Sequence, residues 1–128
     1  MSIPVWRLTV RSEFSAAHAI RHYHGKCESL HGHNFSVEIV VEGSKLSADT
    51  ELLTDFTDLK NDLKQVLDTL DHKDLSLLPS FSEHNPSSEN IAAYIYKQLA
   101  TPLAKRGVRI HSVSVSEKPT QTATYMEI

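Results

Sequence analysis

Cysteine is nearly absent: Cys27 stands alone, so no disulfide can form within the chain, and its thiol is left to be inert, metal-bound or reactive. Basic charge is not in excess, since 13 Lys and Arg against 16 Asp and Glu give a formal charge of -3. That balance supplies no positive field to hold a nucleic-acid backbone, and no nucleic-acid partner is expected. No apolar run approaches the roughly 20 residues that span a bilayer. The opening Met1-Ser2-Ile3-Pro4-Val5-Trp6-Arg7 has no basic segment followed by an apolar one, so a cytoplasmic protein away from membranes is expected. Internal repeats and low-complexity tracts are also missing, and residues 1–128 are expected to form one domain. What remains is an ordinary globular composition, 40% hydrophobic and 23% charged. Its unusual component is histidine: eight are many for this length, so their spacing is the most informative feature.

Trp6, Leu8, Val10, Ser12 and Phe14 share one parity against Arg7, Thr9, Arg11 and Glu13, the period of a half-buried strand. His33, Phe35, Val37, Ile39 and Val41 repeat the period against Asn34, Ser36 and Glu38. Between them, Ala19 to Leu30 has no sustained period and reads as a long hairpin loop, a length often associated with function. Phe56, Leu59, Leu63, Val66, Leu67 and Leu70 recur at helical spacing behind Asp55 and Thr57, which can cap the start. A linker over Pro79–Pro86 leads to cap residues Ser87-Ser88-Glu89-Asn90. A second helix then runs through Ile91, Ile95, Leu99 and Leu103 toward Gly107. Pro102, which cannot donate an interior hydrogen bond, is expected to bend or interrupt that helix. Val108, Ile110, Val113 and Val115 change parity midway, predicting a strand with a bulge, and Thr122 to Ile128 supplies a last strand. The order predicts an α+β fold: a four-stranded antiparallel sheet with two helices on one face. Its two open edges would be economically covered by neighbouring subunits, so an oligomer is expected.

His31 and His33 are two residues apart at the entry to the second strand, so their side chains leave the same face. His18 has the parity of Phe14 and Ala16 at the end of the first strand, and an antiparallel hairpin brings that end beside the start of the second. Three imidazoles then meet at one mouth. Three nitrogen ligands suit zinc and leave a fourth position for water or substrate, the mark of a catalytic rather than a closed structural site. His22, His24, His84 and His111 have no such relationship and read as surface or hydrogen-bonded residues.

Cys27, four residues before His31, admits three roles: fourth ligand of a closed site, small buried side chain, or activated base or nucleophile. Asp71-His72 favours the last, because an aspartate can orient an imidazole that exchanges protons with a thiol; it also reads as an ordinary helix end. Glu117 shares the parity of Val113 and Val115 and so points inward, where its carboxylate could accept the paired N–H donors of a guanine-like ring; the alternative is a strand-end charge. A non-enzymatic reading is a zinc-stabilised assembly module with Cys27 closing the site.

Taken together, Phe14-Ser15-Ala16-Ala17-His18, Cys27-Glu28-Ser29-Leu30-His31-Gly32-His33-Asn34-Phe35, Asp55-Phe56-Thr57-Asp58-Leu59-Lys60, Leu70-Asp71-His72, Pro86-Ser87-Ser88-Glu89-Asn90 and Ser116-Glu117 resemble the 6-pyruvoyltetrahydropterin and 6-carboxytetrahydropterin synthase family. The resemblance implies the tunnelling fold, in which three sheets close into a barrel and two trimers stack as a homohexamer with sites between subunits. It implies zinc on His18, His31 and His33, Cys27 as proton acceptor, Asp71 and His72 as proton relay, Glu117 as both a catalytic residue and the pterin anchor, and Ser88 and Glu89 as further substrate contacts. The implied substrate is a reduced pterin triphosphate, 7,8-dihydroneopterin triphosphate. The three residues between Cys27 and His31 are like the bacterial carboxy branch, whose product, 6-carboxy-5,6,7,8-tetrahydropterin, serves queuosine synthesis. The pyruvoyl reaction, or another side-chain cleavage of the family, is the alternative. Arg21, Lys26, Lys73 and Lys118 are the candidate cations for the triphosphate.

Overall fold

The alternating stretches form two 13-residue strands, β1 (Trp6–His18) and β2 (His31–Gly43), in a computed structural model that describes all residues, Met1–Ile128. They pair antiparallel along their whole length, with Trp6 opposite Gly43 and His18 opposite His31. The chain continues through α1 (Phe56–Leu67), β3 (Lys73–Asp74), two short 3-10 turns (Leu75–Leu77 and Pro79–Phe81), α2 (Ser88–Lys105), β4 (Arg109–Lys118) and β5 (Gln121–Tyr125). The sheet is open, with strand order β3-β1-β2-β4-β5.

It therefore has five strands, not the expected four, and is not wholly antiparallel. The added strand β3 lies parallel to β1, with Lys73 opposite Ala16 and Asp74 opposite Ala17. Two residues are too few to display a period, and their pairing depends on where the turn after α1 returns the chain. That turn is tight: Asp71 donates its N–H to the carbonyl of Leu67, and His72 takes φ 58°, a left-handed conformation uncommon outside glycine. From Trp6 to Phe14 the outer edge of β1 has no strand partner within the chain.

Both helices pack on the sheet face that carries Val10, Phe14, Phe35, Val37, Ile39, Val113 and Val115, forming one apolar cluster. Leu59, Leu63, Val66 and Leu67 enter it from α1, and Ile91, Ile95, Leu99 and Leu103 from α2. Asp55 caps α1 by accepting the N–H of Thr57 at 2.7 Å, and Ser87 caps α2 through the N–H of Asn90 at 3.2 Å. Pro102 does not interrupt α2, because Leu99 and Leu103 on either side of it are fully buried and hold the last turn to the sheet. The parity change in β4 is a bulge at His111: Ser112 faces Val40 while Ile110 faces Val41. The opposite sheet face is polar, with Arg11, Glu38, Ser114, Ser116, Thr122 and Thr124. No helix is long and apolar enough to cross a membrane.

Candidate functional site

The β1–β2 register sets the site. His18 sits opposite His31 and Ala16 opposite His33, so the three imidazoles converge at the open end of the hairpin. One potential ligand atom from each lies within 4.8 Å of the others, and these residues alone form such a group. Phe35, fully buried, is the apolar floor: its ring lies 5.3 Å from that of His18 and 5.5 Å from that of His33, centroid to centroid, both edge-on.

Main-chain carbonyls settle which nitrogens are free. The Nδ1–H of His18 is donated to the carbonyl of Pro86 at 2.7 Å, and the Nδ1–H of His31 to that of Ser29 at 2.8 Å. In a neutral imidazole this leaves Nε2 as the lone-pair nitrogen. The Nε2 atoms of His18 and His33 are buried and have no hydrogen-bond partner. Leaving such an atom unsatisfied costs roughly 1–3 kcal/mol, and two of them facing one point suit an electron-pair acceptor. Burial is the chief cause holding the His33 imidazole below its ordinary pKa. Glu117 opposes that shift, while His18, His31 and Lys118 add to it. A lowered pKa keeps the metal-binding neutral form populated. The residues present therefore fit a three-histidine metal site.

Glu117 reaches this group. Its Oε1 lies 3.5 Å from His18 Nε2 and its Oε2 lies 3.5 Å from His33 Nε2, and the Ser88 hydroxyl donates to Oε1 at 3.4 Å. Its parity with Val113 and Val115 turns Glu117 to the packed face, and the β2–β4 register, with Ser116 opposite Ser36, sets it beside the start of β2. Beside it opens a cleft of about 490 Å³ whose lining includes Ile20, Ser88, Glu89, Glu117 and Thr122, within the range of small-molecule sites. The three residues expected to touch substrate thus border one cleft, and Glu117 joins that cleft to the histidines.

Cys27 is exposed on the 19–30 loop and is not in the potential ligand group. Asp71 and His72 pair at 2.9 Å, Asp71 Oδ2 to His72 Nδ1. They are clamped to the outer edge of β1: Ser15 N–H donates to Asp71 Oδ1 at 2.9 Å, and His72 N–H donates to the Ser15 carbonyl at 2.5 Å. The Ser15 N–H, with His72 second, holds the Asp71 carboxyl below its ordinary pKa. His72 borders a second cleft, about 510 Å³, that also includes Ser15, Gly32, His33, Asn34 and Lys73. Arg21 proves committed to protein carbonyls and to Asn85. The carbonyls of Pro86 and Ser29 were not foreseeable from residue type, since every residue carries one.

The family described as "6-pyruvoyl tetrahydropterin synthase" matches residues 7–128. The chain is 36% identical over 126 residues to the 6-carboxy-5,6,7,8-tetrahydropterin synthase of Synechocystis sp., covering 94% of this chain and 93% of that protein. It is 32% identical over 136 residues to the 6-pyruvoyl tetrahydrobiopterin synthase of Drosophila melanogaster, covering 95% and 80%. The fold is similar to the Caenorhabditis elegans 6-pyruvoyl tetrahydropterin synthase structure, with TM-score 0.83 at 24% identity over 100% of this chain and 99% of that one.

Proposed function

The chain belongs to the 6-pyruvoyl tetrahydropterin synthase family, enzymes that are pterin side-chain lyases, and from that premise we propose that it converts 7,8-dihydroneopterin triphosphate to 6-carboxy-5,6,7,8-tetrahydropterin. Triphosphate and acetaldehyde leave, and one water is consumed. The observation that carries this reading is the convergence of three imidazoles and the Glu117 carboxylate beside a cleft sized for a heterocycle.

In this reading His18, His31 and His33 hold zinc. When bound there, it supplies Lewis acidity that makes the substrate's side-chain hydroxyls more acidic. Glu117 accepts the paired N–H donors of the pterin ring, with Ser88 holding one carboxylate oxygen and Glu89 at the rim. Cys27 accepts the proton from the side chain. Its place outside the histidine group supports a base over a fourth ligand, and weighs against the purely structural module. Asp71 and His72 relay protons, the carboxylate orienting the imidazole through the 2.9 Å contact. Their anchorage on the β1 edge, together with the unpaired stretch Trp6–Phe14, supports a site completed between subunits of a homohexamer built as a dimer of trimers, its sheets closing into a barrel. Residues 1–128 act as one domain, the enzyme works in the cytoplasm, and its product serves queuosine synthesis.

The test is product identification. Zinc-loaded protein given 7,8-dihydroneopterin triphosphate should release acetaldehyde and form the 6-carboxy product. A 6-pyruvoyl product without acetaldehyde would move the chain to the other branch, and no turnover would overturn this substrate.

A further inference from the structure

His18 owes its orientation to a carbonyl 68 positions away, that of Pro86. Pro86 lies in the stretch between the 3-10 turn Pro79–Phe81 and α2, where residues 83–86 make no backbone–backbone hydrogen bond. Side chains hold that stretch in place. Arg21 Nη2 donates to the carbonyls of Phe81 at 2.6 Å and His84 at 2.8 Å, and Arg21 Nε donates to Asn85 Oδ1 at 3.2 Å. The main-chain N–H of Arg21 donates to the same oxygen at 2.8 Å, and Asn85 Nδ2 donates back to the Arg21 carbonyl at 3.0 Å. From the first turn of α2, Asn90 Nδ2 donates to the Asn85 carbonyl at 2.8 Å. Asn85 is gripped by its side chain and by its main chain, and the next residue is Pro86.

We propose that Arg21 and Asn85 are positioning residues of the metal centre: they latch the 81–86 stretch to the loop that follows His18, so that the Pro86 carbonyl accepts the His18 Nδ1–H and Nε2 faces His31 and His33. The proposal rests on reading the three histidines as a metal site. Without the latch, residues 83–86 have no main-chain bonds to fix their carbonyls, and the His18 ring loses the acceptor that selects its tautomer. A proton on Nε2 then blocks ligation. The chemistry explains why arginine occupies position 21. A planar guanidinium presents several donors in a fixed fork and reaches both carbonyls and the amide oxygen together, whereas a lysine ammonium is a single compact charge on a flexible stem. It also leaves only Nη1 of Arg21 free to meet a triphosphate oxygen, because Nε and Nη2 are already engaged.

The experiment compares cobalt(II) binding by metal-free, full-length parent protein with that of Arg21→Lys, Asn85→Leu, Asn85→Asp and Arg106→Ala. Affinity and visible d–d absorption are both recorded, along with apo-protein melting temperature. Arg106 grips Asp62 at the C-terminal end of the 18-residue α2, roughly 27 Å from Ser87, so its loss reports general loosening. Arg21→Lys and Asn85→Leu should bind cobalt about tenfold or more weakly with an altered spectrum, the usual cost of removing outer-shell support. Asn85→Asp, which keeps the oxygen facing Arg21 but loses the Nδ2 bond to the Arg21 carbonyl, should recover part of the loss, and Arg106→Ala should melt lower with parent affinity. In metal-free protein, long-range ¹H–¹⁵N spectra should show the His18 Nδ1–H tautomer in the parent and its depletion in Asn85→Leu. Parent-like affinity, spectrum and tautomer in both latch variants would overturn the proposal. So would losses no greater than Arg106→Ala shows at equal melting temperature. A parent protein that binds no cobalt would instead sink the metal-site reading, and the latch with it.

Discussion

Glu117→Gln keeps the shape of the side chain and removes its charge, at the carboxylate that faces both the histidines and the cleft. As a pterin anchor, the carboxylate offers two acceptor oxygens to two parallel N–H donors. Glutamine offers one oxygen and turns an N–H₂ toward the other donor. A hydrogen bond to a charged group contributes roughly 1.5–3 kcal/mol, and at about 1.4 kcal/mol per decade its loss weakens binding by about one to two powers of ten. The side chain is 21% exposed, so water recovers part of that loss and the lower half of the range is expected. The assay is calorimetry with a non-reactive pterin on zinc-loaded protein. Zinc occupancy is measured in parallel, because both Glu117 oxygens lie 3.5 Å from histidine nitrogens and could serve as a ligand instead. Weakened pterin binding with full zinc supports the anchor. Unchanged pterin affinity would refute it, and a joint loss of zinc would reassign Glu117 to the metal.

His31→Ala should lose most bound zinc and nearly all turnover with the fold retained, as metal analysis and circular dichroism would show; full occupancy would remove His31 from the ligand set. Cys27→Ala should keep zinc and lose turnover, because its thiol stands outside the histidine group, and activity near that of the parent would contradict its role as base. Glu42 is held below its ordinary value of 4.5, chiefly by the hydrogen bond from Arg7 and then by that from Arg109. A carboxylate with a depressed folded pKa contributes stability that is present above its unfolded value and lost as pH falls through the folded one. Glu42→Gln should therefore lower the melting temperature at pH 7, with the difference from the parent shrinking below about pH 4. A difference that stayed constant with pH would show that charge is not the cause.

Where a side chain's position follows from a short repeating geometry, the sequence alone determined it. The period of two in β1 and β2, closed by a hairpin, is enough to bring His18 beside His31 with His33 on the same face, and the register bears this out. Asp55 and Ser87 announced the helix starts, and the parity change after Ile110 announced the bulge at His111. The inward direction of Glu117 was legible from the parity of Val113 and Val115. Its approach to two imidazoles was not, because that depends on the β2–β4 register, which sets Ser116 opposite Ser36 and which parity does not encode. Strand β3 has no signature in the sequence because two residues carry no period, and only the left-handed turn at His72 delivers them to the β1 edge. The supports of the three-histidine cluster lay furthest out of reach. The Pro86 and Ser29 carbonyls are chemically the same as every other carbonyl in the chain, and Arg21 meets Asn85 across 64 positions. Tertiary packing alone decides which main-chain oxygen stands behind which histidine, because residue identity sets what a side chain can donate, while the folded path sets what lies in front of it.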